Sequence, residues 1–355
     1  MNYYSVAAVE LITSNLKTKH PGLAKVIKLP FASFEERISH AVHLSTDHTA
    51  GRDTVMIIAG VHGNEWGSCE IALNLAVDLL KAYEAGAGLA YCNKHFDAEQ
   101  IKALLDERDV VIFPLVNPDG RHHSQTAIGD VQWRKNRNPA HSGGDPARVG
   151  VDINRNFDFL FDLAAFDAGA GVSSSEDTAY STYQGPHPFS EAETKNVRWL
   201  FDQFPTVRWF VDLHCVGQVI RYVWSDDDAQ AHTVSMNFRN PQHDGQRGVS
   251  AGGYGEFLAT ADETRLQALA QRFVDDVQAV HGTLYSAGPA FELTPYSGTS
   301  HDYAYSRHLR DSSQRKVLSF YIEWGTIDYQ PLWSDMVPVI VEVSAGLIGF
   351  CLATR

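Results

Sequence analysis

Four short apolar runs restrict this 355-residue chain more than any other feature: "TVMIIAG" (54–60), "VVIFPLVN" (110–117), "VRWFVDLH" (207–214) and "VLSFYIEW" (317–324). Each is rich in β-branched and aromatic residues and lacks the strict polar alternation of a strand with one wet face. Strands buried on both sides read this way. Segments of helical period separate the runs. Residues 65–83 predict a helix whose polar positions Glu70, Asn74, Asp78 and Lys81 form one narrow wet stripe. "SEAET" predicts another over 190–203, with Ser190 as N-cap and acids in the first turn, and a third starts at Asp262 and stops near Gly282. The alternation predicts an α/β fold: a mixed, mostly parallel twisted sheet flanked by helices on both faces.

No repeat or low-complexity linker divides the chain, so residues 1–355 are expected to form one domain. Residues 1–50 should supply an N-terminal helix and the first strands, with no pro-domain ahead of them. Irregular stretches at 138–150, 167–188 and 225–255 are rich in Gly, Pro and Ser, the composition of loops that wall a site. Residues 221–257 in particular read as an inserted loop at a cleft mouth.

The formal net charge of −14 argues against nucleic acid or an anionic membrane as partner. The most apolar segment, "MVPVIVEVSAGLIGFCLA", contains Pro338 and Glu342 and falls short of the roughly 20 apolar residues of a membrane span, so it reads as a buried helix. "MNYYSVAAVELITSN" has no basic segment followed by an apolar run, which fits a cytoplasmic protein. Cys69, Cys92, Cys215 and Cys351 are too scattered for a disulfide framework or a cysteine zinc cluster and read as free thiols.

Chemistry gathers where the apolar runs end. "AGVHGNEWGS" sets His62 and Glu65 three residues apart where a strand feeds a helix, the place where ligands bind in open α/β sheets. On the residues alone the pair is a metal site, a turn holding two polar residues, or an acid and a base. His214 ends a second run, as a metal ligand or as a core histidine bonded to backbone. Glu323 ends a third, where an ionised carboxylate is unfavourable without a cation or a proton to move. A catalytic zinc keeps three protein ligands and an open position. The bland reading has to be invoked separately at each strand end.

These residues lie within eight motifs: "GVHGNEWGS", "VNPDG" (116–120), "QWRKNRNP" (132–139), "GVDINRNFD" (150–158), "GPHPFSEAET" (185–194), "VDLHC" (211–215), "YSGTSHDYAY" (296–305) and "FYIEWG" (320–325). In this order, over about residues 50 to 325, the chain resembles the zinc metallocarboxypeptidase family of carboxypeptidases A and B. The resemblance implies a carboxypeptidase-like fold and one Zn2+ ion held by His62, Glu65 and His214. Asp152 would fix the ring of the first histidine, or serve as an ordinary turn aspartate. Glu323 would act as general base and acid, Arg134 would stabilise the oxyanion, and Asn154 with Arg155 would clamp the terminal carboxylate. Tyr296 matches the mobile tyrosine that covers substrate, with Tyr303 and Tyr305 as rivals. His301 falls at the base of the specificity pocket, where neither an aliphatic residue nor an acid stands, and favours a polar or acidic terminal side chain.

The implied function is zinc-dependent hydrolysis of the C-terminal bond of a peptide or small amide carrying a free carboxylate. The alternative is an amidase of the same family for cell-wall-derived γ-glutamyl peptides or N-acyl amino acids. "HGNE", with Asn64 where digestive members carry Arg, resembles the regulatory carboxypeptidases and the acylases. "WRKNRNP" and "NRNF" resemble the peptidases. A binding module that no longer cleaves would have lost a ligand or the base, and none is lost. Lys135 and Arg137 are expected on a solvated loop, His122 and His123 in a surface turn, and Cys215 as a small buried side chain.

Overall fold

The computed structural model describes residues 3–292, 294–326 and 328–355. The four apolar runs form the middle of an eight-stranded sheet. In chain order its strands are β1 (Ala24–Lys28), β2 (His40–Leu44), β3 (Thr54–Ala59), β4 (Asp109–Phe113), β5 (Val207–Cys215), β6 (Val219–Tyr222), β7 (Ser286–Pro289) and β8 (Leu318–Trp324). Their order across the sheet is β1-β2-β4-β3-β5-β8-β6-β7. The adjacent strands β4, β3, β5 and β8 are mutually parallel, whereas β1, β2 and the β6–β8 contact run antiparallel. Every residue of β3 and β4 is buried, which requires cover on both faces of the sheet.

Among the described residues there are eight α-helices, most of them packed on the sheet: α1 (Val6–Lys19), α2 (Gly67–Ala85), α3 (Ala98–Glu107), α4 (Pro118–Thr126), α5 (Ala192–Gln203), α6 (Thr260–His281), α7 (Ser300–Arg310) and α8 (Trp333–Ala353). α8 is long and apolar enough to cross a membrane, yet it packs along α2 and α6. Its Glu342 meets His281 and the Tyr285 hydroxyl, and Gly349 lies so close to Asp276 that a Cβ there would overlap the carboxylate. α7 packs on β5 and β8, and so sets a helix start beside the two strands that carry His214 and Glu323.

Several details differ from the sequence reading. α2 begins two residues after Glu65, because residues 62–66 turn to fold the Glu65 carboxylate back onto His62. Its polar stripe is not wet: Glu70 is buried against Arg121, Asn74 bonds Ser344, Asp78 accepts from Tyr91, and only Lys81 is exposed. The periodicity is real, but these groups meet polar partners on neighbouring elements. α5 starts at Ala192 rather than Ser190; the Ser190 hydroxyl donates to the Glu191 carboxylate and caps no backbone N–H. "NPDG" opens the helix α4, with the Asn117 side chain capping and Pro118 in the first turn, so His122 and His123 sit on a helix rather than in a turn. Lys135 is buried and donates to the Thr178 carbonyl at 3.0 Å, while Arg137 stacks on Trp133 at 4.3 Å, so this stretch is packed rather than solvated.

Candidate active site

Where the parallel strands β3, β5 and β8 end, one cavity of about 360 Å³ opens. Beyond β3, Gly60 takes a left-handed turn at φ 64°, and the Gly63 amide donates to the Arg134 carbonyl at 2.9 Å, fixing the ligand turn to the "QWRKNRNP" segment. His62 Nδ1 then lies 2.7 Å from Glu65 Oε1. On β5, His214 points its Nδ1 at the same place, 3.1 Å from His62 Nδ1 and 3.1 Å from Glu65 Oε2. β8 pairs in register with β5, so Glu323 stands opposite His214 and Tyr321 opposite Asp212. Residues two apart on a strand share a face. These four make one polar end on an otherwise apolar sheet.

The orientation of both imidazoles follows from carboxylates behind them. Asp152 Oδ1 lies 3.2 Å from His62 Nε2, and Asp212 Oδ2 lies 2.9 Å from His214 Nε2. A carboxylate accepts and cannot donate, so with a cation between the donors each Nε2 would keep its hydrogen on the acid behind it and each Nδ1 would turn a lone pair to the ion. Two lone pairs and a carboxylate converge in a buried space, an arrangement that repels itself unless a cation lies between the donors. Among the described residues this is the single cluster of three or more such donors whose ligand atoms all lie within 4.8 Å of one another. Two imidazoles and one carboxylate are a zinc-type set.

Electrostatics divides the labour among the acids. Burial opposes ionisation of Glu65, but the imidazoles of His62 and His214 outweigh it and hold the carboxyl below its usual range. Burial also opposes ionisation of Asp152, and the guanidinium groups of Arg134 and Arg155 outweigh it; the Arg134 Nε donates to Asp152 Oδ2 at 3.0 Å. Glu323 behaves oppositely: burial and the neighbouring Glu65 carboxylate push it up to about 8. Burial keeps the Cys215 thiol far above its ordinary value, so it is no nucleophile.

Arg155 also lines the cavity. It bonds the Ser173 and Asn154 carbonyls and holds its guanidinium 4.8 Å over the Tyr296 ring. Asn154 is oriented by the Ser300 amide, which donates to its Oδ1 at 2.8 Å. His301 lies in the cavity wall, 2 % exposed, its ring 4.9 Å from that of Tyr321 and both nitrogens without a hydrogen-bond partner. Burial lowers its pKa and keeps it neutral. Tyr303 and Tyr305 are core residues, the first packed among Phe157, Phe189 and Phe201, the second donating to Asp262.

Of the long loops, only 167–188 reaches the cavity, through Ser173, Ser181 and Thr182. No residue of 221–257 lines it. That segment folds around the buried Arg247, which bonds Asp244 and the Ala165 and Asn240 carbonyls, and it supports the cavity from behind where the Tyr296 amide donates to the Ser225 carbonyl. Asp212, Tyr321 and Thr299 were not anticipated. The first two carry a signal in the sequence, since each stands two residues before a candidate on the same strand.

Residues 9–343 match the family model of zinc carboxypeptidases. The chain belongs to that family. Zinc carboxypeptidases use a single catalytic Zn2+ ion, which the donor set described above fits. The chain is 27% identical over 311 residues to carboxypeptidase A2 of Rattus norvegicus, covering 87% of this chain and 61% of the relative, so it spans less than two thirds of that protein's length. The fold is similar to those of thrombin activatable fibrinolysis inhibitor, with TM-score 0.74 at 20% identity over 99% of this chain and 75% of that one, and of carboxypeptidase A from Helicoverpa armigera, with TM-score 0.73 at 21% identity over 99% and 74%.

Proposed function

We propose that the chain is a zinc-dependent exopeptidase that hydrolyses the C-terminal bond of peptides. The observation that carries this reading is one cavity lined by His62 and Glu65, by the half-buried acid Glu323 and by two arginines, with His214 meeting both His62 and Glu65 at 3.1 Å. His62, Glu65 and His214 would hold the zinc ion, which when bound polarises a carbonyl and acidifies water. Arg155, in the wall of the same cavity, binds the terminal carboxylate through paired N–H groups, with Asn154 beside it. That sets the last peptide bond between Arg155 and the triad. Arg134 stays charged at any working pH and donates to the carbonyl oxygen as negative charge develops there. Glu323 accepts a proton from the attacking water and passes it to the leaving amine.

The cavity wall supports a preference among terminal residues. A neutral His301 with two unpartnered ring nitrogens offers one donor and one acceptor, and a buried polar group left unmatched costs about 1–3 kcal/mol. A terminal side chain that itself hydrogen-bonds relieves this, and a purely aliphatic one does not. The test is a substrate screen with and without chelator: peptides ending in Gln, Glu, Leu or Arg, a γ-glutamyl tripeptide, and N-acyl amino acids. Chelator-sensitive release of terminal Gln or Glu ahead of Leu and Arg is expected. Cleavage of the γ-glutamyl or N-acyl substrates alone would replace the peptidase reading with that of a specialised amidase.

A further inference from the structure

We propose that Asp212 is a positioning residue for His214, and that it strengthens ion binding more than Asp152 does behind His62. The inference rests on the reading of His62, Glu65 and His214 as the ion-binding triad. Asp212 is fully buried on β5, two residues before His214 and on the same face. Its Oδ2 meets His214 Nε2 at 2.9 Å and accepts from the Ser300 hydroxyl at 2.5 Å, while its Oδ1 has no partner.

The two carboxylates behind the imidazoles differ in what else neutralises them. Asp152 shares its charge with Arg134, whose Nε donates to it at 3.0 Å. Among the described residues Asp212 has no lysine or arginine within ion-pairing distance. A fully buried carboxylate without a cation is unfavourable. Besides the Ser300 hydroxyl its one donor is His214 Nε2, and the one positive charge it could reach through that ring is an ion at Nδ1. Asp212 therefore places nearly all of its charge on the ligand it orients. A carboxylate accepting from the distal N–H fixes the tautomer and raises the basicity of the ligating nitrogen, and removing such partners typically weakens metal affinity about 10–100-fold. Ser300 fixes the arrangement: its hydroxyl holds Asp212, its amide holds Asn154, and the next residue is His301.

The test measures the zinc dissociation constant by chelator competition for the wild-type protein and for Asp212→Asn, Asp152→Asn and Asp302→Asn. Asp302 is a control, a buried carboxylate on α7 that accepts from Thr299 at 2.9 Å and touches no ion ligand. Asp212→Asn is expected to weaken zinc about 10–100-fold, Asp152→Asn to weaken it less, and Asp302→Asn to stay within about threefold of wild type. Nitrogen-15 NMR of the zinc-loaded wild-type protein needs no variant and should show a slowly exchanging, downfield proton on His214 Nε2. The inference is overturned if Asp212→Asn binds zinc within about threefold of wild type, if Asp302→Asn loses as much, if Asp152→Asn loses more, or if that proton is missing. A wild-type protein that binds no zinc, or zinc binding that survives His62→Ala and His214→Ala, would instead overturn the triad itself.

Discussion

In the first turn of α5 the carboxyl of Glu193 is shut away from water at 2 % exposure, its Oε1 without a partner and its Oε2 accepting from the Asn136 side chain at 3.2 Å. Burial and the adjacent Glu191 charge push its pKa from 4.5 up to about 8. Below pH 4.5 the group is protonated whether the chain is folded or not. Between 4.5 and 8 the unfolded chain ionises while the folded protein keeps its proton, so the stability that the proton provides is lost as the pH rises. One pKa unit corresponds to about 1.4 kcal/mol, which puts the loss on the order of a few kcal/mol once the pH passes 8. Glu193→Gln keeps an acceptor for Asn136 and has nothing to titrate. The variant should match wild type near pH 4.5 and exceed it by a few kcal/mol at pH 8.5. Urea titrations followed by tryptophan fluorescence read this directly. A few kcal/mol in a protein of this size moves the midpoint by on the order of 0.5–1 M, against only about 1 °C of melting temperature per kcal/mol. An equal stability difference at both pH values, or a variant less stable at pH 8.5, would refute the reasoning.

Three further outcomes are expected. Glu323→Gln should lower kcat about 10²–10⁴-fold with KM nearly unchanged, and a variant keeping more than about a tenth of the turnover would remove this residue from proton transfer. Arg155→Ala should lower kcat/KM by roughly 10²-fold or more for peptides with a free terminal carboxylate; an equal loss on C-terminally amidated peptides would mean that the arginine does not read the carboxylate. Gly298 sits at φ 62° with the position of a Cβ 2.1 Å from the Arg155 carbonyl oxygen, so Gly298→Ala should destabilise the fold by about 2 kcal/mol or more and misplace Arg155. A neutral melting temperature and unchanged KM in that variant would contradict it.

The parallel centre of the sheet was legible because strands covered on both faces leave unbroken apolar runs. β6 and β7 leave no such trace: "VIRY" is only partly buried, and "SAGP" at the sheet edge carries Gly and Pro. The triad candidates and Glu323 were visible because each ends an apolar run. Asp212 lies inside one of them, where an acid in a core strand looks like an interruption until it is known to meet the ring of the histidine two residues on. Ser173, Ser181 and Thr182 carry no spacing signal, because a long irregular loop brings them in from outside the sheet. The stripe on α2 differs because a periodic pattern separates polar from apolar positions but does not say whether the polar ones meet water or other polar groups; the burial of Lys135 leaves no trace because its carbonyl partner, on Thr178, lies 43 residues away in an irregular loop.

β8 lies between β5 and β6, although it follows both in the chain. During synthesis the three ion donors have all emerged by residue 214, about a hundred residues before Glu323. At roughly 5–20 residues per second, a ribosome-bound chain spends several seconds able to gather its donors but without the group that moves protons. Under the proposed function, cleavage would therefore await the late strand that slots between β5 and β6 and brings Glu323 opposite His214.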